Sequence, residues 1–576
     1  MNHNGRPHWL APLMVAIIAT IITLALTFTY VNGALQGKFQ HIFLPSKVFG
    51  VPERLAAHGY ETLFNDGVGV GWDGQFYFSI ANDPLAKRDT RQHIDYDAYR
   101  YQRIGLPLMA AVVAKLSGQD WVSPRVYYLT SLFILFAATW VGAAFFKSRG
   151  INPAWMLIWT LSMGTQITQL HGLPDAAADG LLIMALIALL NQYRFAYLIL
   201  AVLAALTRET YVLFPISILC AGFVIDVANK GLRQQMRPSA LTSFLWNQWH
   251  HLPAIIAFTC WQLFIRHRFE TSPSAQAKII EILDWPFKYA VKYMLAPFTG
   301  GRPMDRLSEM ESAGILLFLM VLLTALCLLS GFMRSSLQER KQAPQDSADK
   351  LGIGAAFIVI AGLYFCFGHI VMMDNTGYWK AASIFLFLLP FVFAVQGRKL
   401  TNWPTLLLLV SFVLFGVSLL ARITTRAYVD ADVAKIDYAQ TEPACLDKYD
   451  AQIRPLGVET VRGSWWQRLN NTLPVVVIIE VTNTGKEDFF PYRGKGSVAA
   501  SYQWISVADG SVALDGLRTL LPKRLPPQQS IRLPLRVMAP QTQGKYVLKL
   551  SLVQEGCTWF HNANPASSFN INYDVR

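Results

Sequence analysis

Charged side chains are scarce in this chain. Aspartate, glutamate, lysine and arginine make up 15% of its residues, whereas 53% are hydrophobic. A soluble globular domain carries about 25% charged residues, so this composition excludes an ordinary soluble protein. It predicts a polytopic α-helical membrane protein.

Glycine-rich phosphate loops of the Walker or dinucleotide-binding type are also absent, which argues against a nucleotide-binding enzyme. The formal charge of +13 comes from basic residues spread over many loops. Attraction to anionic lipid explains this pattern better than contact with nucleic acid. We therefore expect membrane lipid, and no nucleic acid, among the partners.

Apolar runs of about the length that crosses roughly 30 Å of hydrocarbon recur up to residue 421 and then stop. We predict about eleven spans, several of them short, at Leu10–Val31, Val126–Phe146, Ala154–Leu170, Ala177–Leu190, Phe195–Leu206, Tyr211–Val227, Leu252–Ile265, Ala313–Met333, Leu351–Met373, Ala381–Gln396 and Trp403–Ala421.

Short basic connections predict the orientation, because lysine and arginine favour the cytoplasmic ends of spans. If the N-terminus is inside, all five of these connections are cytoplasmic: residues 147–149, 193–194, 230–237, 334–350 and 398–399. Loops 32–125 and 266–312 then lie outside, as does the C-terminal tail, residues 422–576. The first apolar run lacks a small-x-small cleavage site, so we interpret it as a retained span.

The pattern of apolar residues in the tail differs from that in the rest of the chain. Alternating apolar residues at 475–481, 530–537 and 546–553, with turn residues between them, predict strands of an immunoglobulin-like β-sandwich. We therefore predict a transmembrane domain at 1–421 and a β-sandwich domain at 422–576. Trp504, Trp559 and Phe560 fit its core better than a sugar-stacking surface, although both interpretations stay open.

The chain has only six cysteines. Four fall within predicted spans, where they suit packing. Cys445 and Cys557 lie near the two ends of the tail, and we predict a disulfide between them in an oxidising compartment. The alternative is a pair of unbonded buried thiols.

Ionisable residues of the membrane part gather on the predicted outer side. Such groups are costly at the edge of hydrocarbon, so their convergence is a functional hypothesis. The most distinctive is Asp73, in the run Gly71-Trp72-Asp73-Gly74-Gln75-Phe76-Tyr77 just beyond the first span. The others are Asp83, Asp95, Asp97, Arg100, Arg103, Asp175, Asp179, Arg208, Glu209, Asp374 and Lys380.

The run Trp72–Ala81, followed by Tyr99–Pro107 and by Leu206–Thr210, resembles the first extracytoplasmic loop and a basic position of GT-C glycosyltransferases. The likeness is to the GPI-mannosyltransferase branch and its bacterial relatives. It implies a GT-C-like fold, a polyprenyl-phosphate sugar donor and Asp73 as the catalytic base. Many relatives have paired acidic residues where this chain has Asp73 followed by Gly74, so metal use stays open, with a divalent cation as one alternative.

Tail segments Ala500–Trp504, Leu517–Pro522 and Leu552–Phe560 are similar to a β-sandwich module of bacterial glycan-assembly enzymes. Together the two resemblances imply a multi-pass protein of the bacterial inner membrane with a periplasmic tail. Its partners would be the lipid-linked donor and a cell-envelope glycan or lipid-linked acceptor.

By this hypothesis the reaction is a direct displacement with inversion, in which Asp73 accepts the proton of the acceptor hydroxyl. A preorganised cation would stabilise the leaving phosphate. Arg208 is the first candidate and Arg103 the second, followed by Arg100 and Lys380. The alternative for Arg208 is a salt bridge with Glu209, or a side chain that extends to the membrane interface.

Several further side chains are candidates for binding the sugar or the acceptor: Trp72, Gln75, Tyr77, Asp175, Asp179, Glu209 and Tyr378. Asp175 follows Pro174, so capping of a helix is an equal alternative for it. Two other function classes remain as rivals, a flippase for polyprenyl-linked glycans and a non-catalytic scaffold of glycan assembly.

Overall fold

The structure is a computed structural model. It describes residues 9–33, 35, 37–46, 49–62, 71–279, 282–295, 309–368, 371–372, 375–397, 406–407, 409–410, 444–459, 475–490, 496–516, 518–521, 524–540 and 542–575. The chain divides into two compact units, a helical unit (1–45, 49–62 and 72–424) and a second unit (46–48, 63–71 and 425–576).

The helical unit is built from α-helices joined by short loops and 3-10 turns. The helices whose bounds lie in the described part of the chain are α1 Leu10–Gly33, α2 Glu53–Ala56, α3 Gly74–Asn82, α4 Asp97–Tyr101, α5 Gly105–Leu116, α6 Pro124–Ser148, α7 Leu157–Thr160, α8 Met163–Leu170, α9 Asp175–Leu190, α10 Arg194–Thr207, α11 Leu213–Lys230, α12 Leu232–Gln235, α13 Pro238–Asn247, α14 Leu252–Phe269, α15 Pro273–Ile279, α16 Lys288–Leu295, α17 Glu309–Glu339, α18 Pro344–Phe365, α19 Asn375–Ala382 and α20 Ile384–Val395.

Five described helices are long and apolar enough to cross a membrane: Leu10–Asn32, Pro124–Ser148, Glu209–Lys230, Leu319–Glu339 and Pro344–Phe365. Three shorter apolar helices accompany them, at Gly105–Leu116, Arg194–Thr207 and Trp379–Val395. A helix rises about 1.5 Å per residue, so the 14 residues of α10 are short for a full crossing.

The prediction of about eleven spans is confirmed only in its coarser form, as several membrane-length apolar helices. Residues 154–170 do not form one helix, since a 3-10 turn, α7 and α8 follow one another there. The apolar helix α5 lies within the segment that we assigned to a loop. Most of the predicted span at 403–421 lies outside the described residues.

Close helix contacts occur where glycine removes a side chain. A Cβ on Gly352 of α18 would lie 2.3 Å from the Cα of Ile218 on α11. A Cβ on Gly105 of α5 would lie 2.1 Å from Oγ1 of Thr207, at the end of α10. Small residues allow such backbone approach between apolar helices, where packing rather than the hydrophobic effect favours association.

The second unit consists of antiparallel strands. They are β1 Ala451–Glu459, β2 Val475–Asn483, β3 Val498–Ser506, β4 Val512–Asp515, β5 Thr519–Leu520, β6 Ser530–Val537, β7 Gly544–Gln554 and β8 Ser568–Val575, with a short helix, α21, at Phe560–Ala563. One sheet has the order β1-β2-β6 and the other β4-β3-β7-β8, with β5 paired to β3.

Alternate residues of both sheets share one buried core, which includes Ile479 and Val481 from β2 and Tyr502 and Leu550 from β3 and β7. Cys445 and Cys557 are joined in a disulfide. Trp504 and Phe560 are buried, as a core assignment requires. Trp559 is only half-buried, and the guanidinium of Arg518 lies 4.8 Å from its ring centre.

Candidate functional site

A cavity of about 1370 Å³ lies in the helical unit. One part of its wall is ionic and includes Asp73, Asp95, Arg100, Arg103, Asp175, Arg208, Glu209, Arg266 and Lys380. Another part is apolar and includes Phe258, Leu263, Leu283, Ile360, Leu363, Phe367 and Phe385. The cavity therefore suits a ligand with a charged head and an apolar body.

Asp73 lies at the N-cap of α3, a helix whose nine residues are all buried. A Cβ on Gly74 would lie 1.8 Å from the carbonyl oxygen of His171, so no side chain fits at this position. This contact gives a physical reason why Asp73 has no acidic neighbour at position 74. The ring of Trp72 stacks on the His171 ring, with centroids 4.0 Å apart.

The carboxylate of Asp73 is held by Arg100. The guanidinium donates to Oδ2 of Asp73 at 2.8 Å and to Oδ1 at 3.0 Å. Burial disfavours the charged carboxylate, but Arg100, and less strongly Lys380 and Arg103, outweigh this effect and lower the pKa of Asp73. The side chain is 37% exposed, so the ionised oxygens remain accessible from the cavity.

Arg103 forms a second ion cluster, with Glu209. Its Nε and Nη2 atoms each lie 2.9 Å from an oxygen of Glu209, which is a bidentate pair. The carboxylate of Asp175 lies 3.9 Å from the same guanidinium. Asp175 is the first residue of α9, whose N-cap is Pro174, and the structure has no side-chain cap there. The interpretation of Asp175 as a helix cap is therefore wrong.

Arg208 binds Asp179, which is fully buried. The ion-pair distance is 3.4 Å, and Tyr211, Ser383 and Trp159 also donate hydrogen bonds to this carboxylate. Asp179 thus lies behind the cavity wall and holds Arg208, which corrects our prediction that it contacts substrate. The alternative pairing of Arg208 with Glu209 is also wrong, since Glu209 pairs with Arg103.

Three of the four cations predicted to bind phosphate are thus engaged by carboxylates. Lys380, on α19, lines the cavity and has no carboxylate partner among the described residues. Arg266, at the end of α14, also lines the cavity and has no carboxylate partner among the described residues. Among the described residues, Lys380 is therefore the only one of the four predicted cations that no carboxylate engages. Tyr378 is on the same helix, but its side chain lies outside the part that the structure describes.

The predicted sugar-binding residues in and just before α3 do not line the cavity. Gln75 and Tyr77 are 4% and 1% exposed, and Trp72 packs on His171 instead. The sequence pattern placed these side chains in an extracytoplasmic loop, whereas Gln75 and Tyr77 lie in the buried helix α3. Trp72 precedes α3 and is half-buried. Their predicted role in binding substrate is therefore not supported by the geometry.

Sequence reasoning counted Asp95 among the ionisable residues of the outer side but gave it no specific role, although this residue shares Arg100 with Asp73. The available signal was its place five residues before Arg100 in a loop rich in ionisable residues. Sequence reasoning also missed the apolar residues that line the cavity. The sequence predicts where a span lies but not which face of its helix borders a cavity.

No group of three or more His, Cys, Asp or Glu side chains within the described residues is arranged to hold a metal ion. No family model, curated protein or solved structure matches the chain. The assignment of function rests on the residues themselves.

Proposed function

We propose that the helical unit is a GT-C-like glycosyltransferase. It transfers a sugar from a polyprenyl-phosphate donor to a glycan or lipid acceptor of the bacterial cell envelope, on the outer side of the inner membrane. The observation that carries this proposal is the cavity itself, which is lined by an ionised Asp73, by apolar side chains and by Lys380, a cation with no carboxylate partner among the described residues.

Each part of the wall matches one part of such a donor. The apolar residues Leu363, Phe367 and Phe385 suit a polyprenyl chain. Lys380 suits a phosphodiester with one negative charge. An ionised carboxylate at the cavity wall suits an acceptor hydroxyl that must lose a proton.

In the reaction, the acceptor hydroxyl attacks the anomeric carbon while its proton passes to an oxygen of Asp73. The bond between the anomeric carbon and the phosphate oxygen breaks, and its electron pair leaves with the lipid phosphate. Attack opposite to the leaving group inverts the anomeric configuration. Lys380 stabilises the negative charge that grows on the leaving oxygen.

The proposal includes the finer topology. The N-terminus is cytoplasmic, the spans follow the positive-inside pattern, and the tail is a periplasmic immunoglobulin-like sandwich. The two sheets with one common core and the Cys445–Cys557 disulfide support this assignment. A disulfide is stable in the periplasm and is rare in the cytosol.

The test is the surface-glycan profile, by mass spectrometry, of cells that lack the protein and are complemented with wild type, Asp73→Asn or Asp97→Asn. Asp97 is the matched control, because it pairs with Arg91 in the same loop and does not line the cavity. We expect wild type and Asp97→Asn to restore a missing sugar. Removal of a general base costs about 10²–10⁴ in rate, so Asp73→Asn should not restore it.

Equal restoration by all three chains at matched membrane levels would contradict the proposal and favour a flippase or a scaffold. Purified protein with a defined polyprenyl-phosphate sugar then distinguishes transfer from transport, because only transfer releases free polyprenyl phosphate.

A further inference from the structure

Asp95 and Asp73 lie on two edges of one guanidinium. Arg100 donates from Nε and Nη2 to the two oxygens of Asp95, at 2.9 and 2.7 Å. It donates from Nη1 and Nη2 to the two oxygens of Asp73, at 2.8 and 3.0 Å. These four hydrogen bonds occupy both edges of the fork, so little of Arg100 remains for a substrate phosphate.

Aromatic rings fix the plane of the same guanidinium. Its central carbon lies 5.1 Å from the ring centre of Phe76 and 5.5 Å from that of Tyr99. The Arg100 side chain is only 10% exposed. Arg100 is therefore hydrogen-bonded along both edges and lies close to two aromatic rings, so its position is fixed by the surrounding protein.

We propose that Asp95 is a positioning residue that acts on Asp73 through Arg100. Asp95 holds one edge of the guanidinium in place and shares its positive charge, so that Asp73 is oriented but not fully neutralised. The inference rests on the proposed function only in calling Asp73 a base. The coupling of the three side chains is a property of the folded protein in any case.

The charge balance explains why a second carboxylate is useful. A single arginine beside a single aspartate makes a neutral pair, in which the carboxylate is a weak proton acceptor. Two carboxylates around one guanidinium carry one net negative charge, so the accessible carboxylate keeps more basicity. The other groups that face Asp73 are Arg103, Lys380 from α19 and Tyr77 from its own helix.

This coupling predicts a defined order of titration. In Arg100→Gln, two half-buried carboxylates face each other without their cation, so the pKa of Asp73 should rise above its value in the wild type. In Arg100→Gln/Asp95→Asn the repulsion is gone, so the rise should be smaller. In Asp95→Asn alone, Asp73 is the only carboxylate that Arg100 still pairs with. The pKa of Asp73 should therefore stay below the ordinary value of an aspartate.

The experiment follows protonation of Asp73 in the purified full-length protein by infrared spectroscopy during a pH titration. The C=O stretch of a protonated carboxyl is assigned to Asp73 by its loss in the matching Asp73→Asn variants. We expect the assigned band of Arg100→Gln to titrate at higher pH than that of Arg100→Gln/Asp95→Asn. Equal titration of the two would overturn the inference.

Arg100→Lys and Arg100→Lys/Asp95→Asn provide the same comparison in a site that keeps a buried cation, should the glutamine variants not be recovered folded. Here too, loss of Asp95 should lower the pH at which Asp73 titrates. Asp97→Asn in each background is the control for loss of a neighbouring carboxylate, and it should leave the Asp73 band in place.

Sugar transfer by Asp95→Asn is measured in parallel. Misplacement of a reacting group costs about 100-fold in rate, so kcat should fall by up to that factor while the KM for donor changes little. If the bands shift as expected and wild type transfers no sugar, the proposed function fails and the coupling stands. If wild type transfers sugar and the bands do not depend on Asp95, only the positioning inference fails.

Discussion

Asp73 and Arg100 are 27 residues apart, and two hydrogen bonds of 2.8 and 3.0 Å join the two oxygens of the carboxylate to the guanidinium. The pair keeps the carboxylate ionised in the wall of a cavity that apolar residues also line. Charge in such a place is costly unless it is paired, and the pairing leaves Asp73 partly accessible.

The first prediction concerns pH. The pKa of Asp73 is lowered in the folded protein, so this carboxylate stays ionised as the pH falls from neutral to about 5. The stabilisation from its pairing is complete above the unfolded pKa and is lost only as the pH falls through the lower, folded value. We expect no loss of transfer rate from protonation of Asp73 between pH 7 and about 5, measured with purified enzyme and donor.

An acid limb within that interval that moves upward in Arg100→Lys would instead show that Asp73 titrates there in the native enzyme. Thermal unfolding of Asp73→Asn over the same pH range is the control for effects on stability.

The second prediction concerns Gly74. An added methyl group would meet the carbonyl oxygen of His171 at 1.8 Å, and backbone must shift to relieve this contact. Overpacking of this kind costs about 1–3 kcal/mol or more, so Gly74→Ala should lower the midpoint of thermal unfolding and the folded yield in detergent.

Gly362→Ala on α18 is the matched control, because nothing lies within 4 Å of its added Cβ. Alanine is also favoured over glycine in a helix, so this control should be neutral or slightly stabilising. A Gly74→Ala protein as stable as Gly362→Ala would contradict the close contact between α3 and residue 171.

The third prediction separates two cations of the cavity wall. Arg208→Gln leaves the fully buried Asp179 without its cation, and breaking a buried ion pair costs about 3–5 kcal/mol. We expect a large loss of thermal stability, partly restored in Arg208→Gln/Asp179→Asn. Lys380→Gln should keep wild-type stability, because Lys380 has no carboxylate partner among the described residues.

Lys380→Gln should instead act on the donor. A hydrogen bond to a charged group contributes about 1.5–3 kcal/mol, so we expect the KM for donor or the transfer rate to worsen by roughly 10- to 100-fold. If Lys380→Gln transfers sugar as wild type does while Arg208→Gln is stable and inactive, the roles of the two residues are reversed.

The fourth prediction concerns the disulfide. Cys445 and Cys557 are 112 residues apart in the sequence. Chain entropy alone assigns a cross-link of about this length a stabilisation of about 5 kcal/mol. Cys445→Ser/Cys557→Ser should therefore lower the unfolding temperature of the tail in the full-length protein, and reductant should lower it in wild type.

Cys220→Ser is the control for this experiment, since Cys220 is a free thiol. Equal unfolding of wild type with and without reductant, with the thiols shown to be reduced by mass, would contradict a structural role of this bond.

Local sequence patterns predict those features of the protein whose physical cause is itself local. Apolar runs such as Leu10–Val31 predict membrane-length helices because the length of the run matches the thickness of hydrocarbon. Alternation at 475–481 predicts strands because side chains of a strand point to opposite faces in turn. Asp73 attracted attention because a carboxylate is rare beside so many apolar residues.

Only the tertiary structure decided which charges remain available. Arg103 pairs with Glu209, 106 residues away, and Arg208 pairs with Asp179 rather than with its neighbour Glu209. Ion pairs between helices depend on how the helices pack, which spacing along the chain does not specify. Packing likewise buries Gln75 and Tyr77 and leaves Lys380 facing the cavity, because a helix places some residues of a run against neighbours and others toward open space.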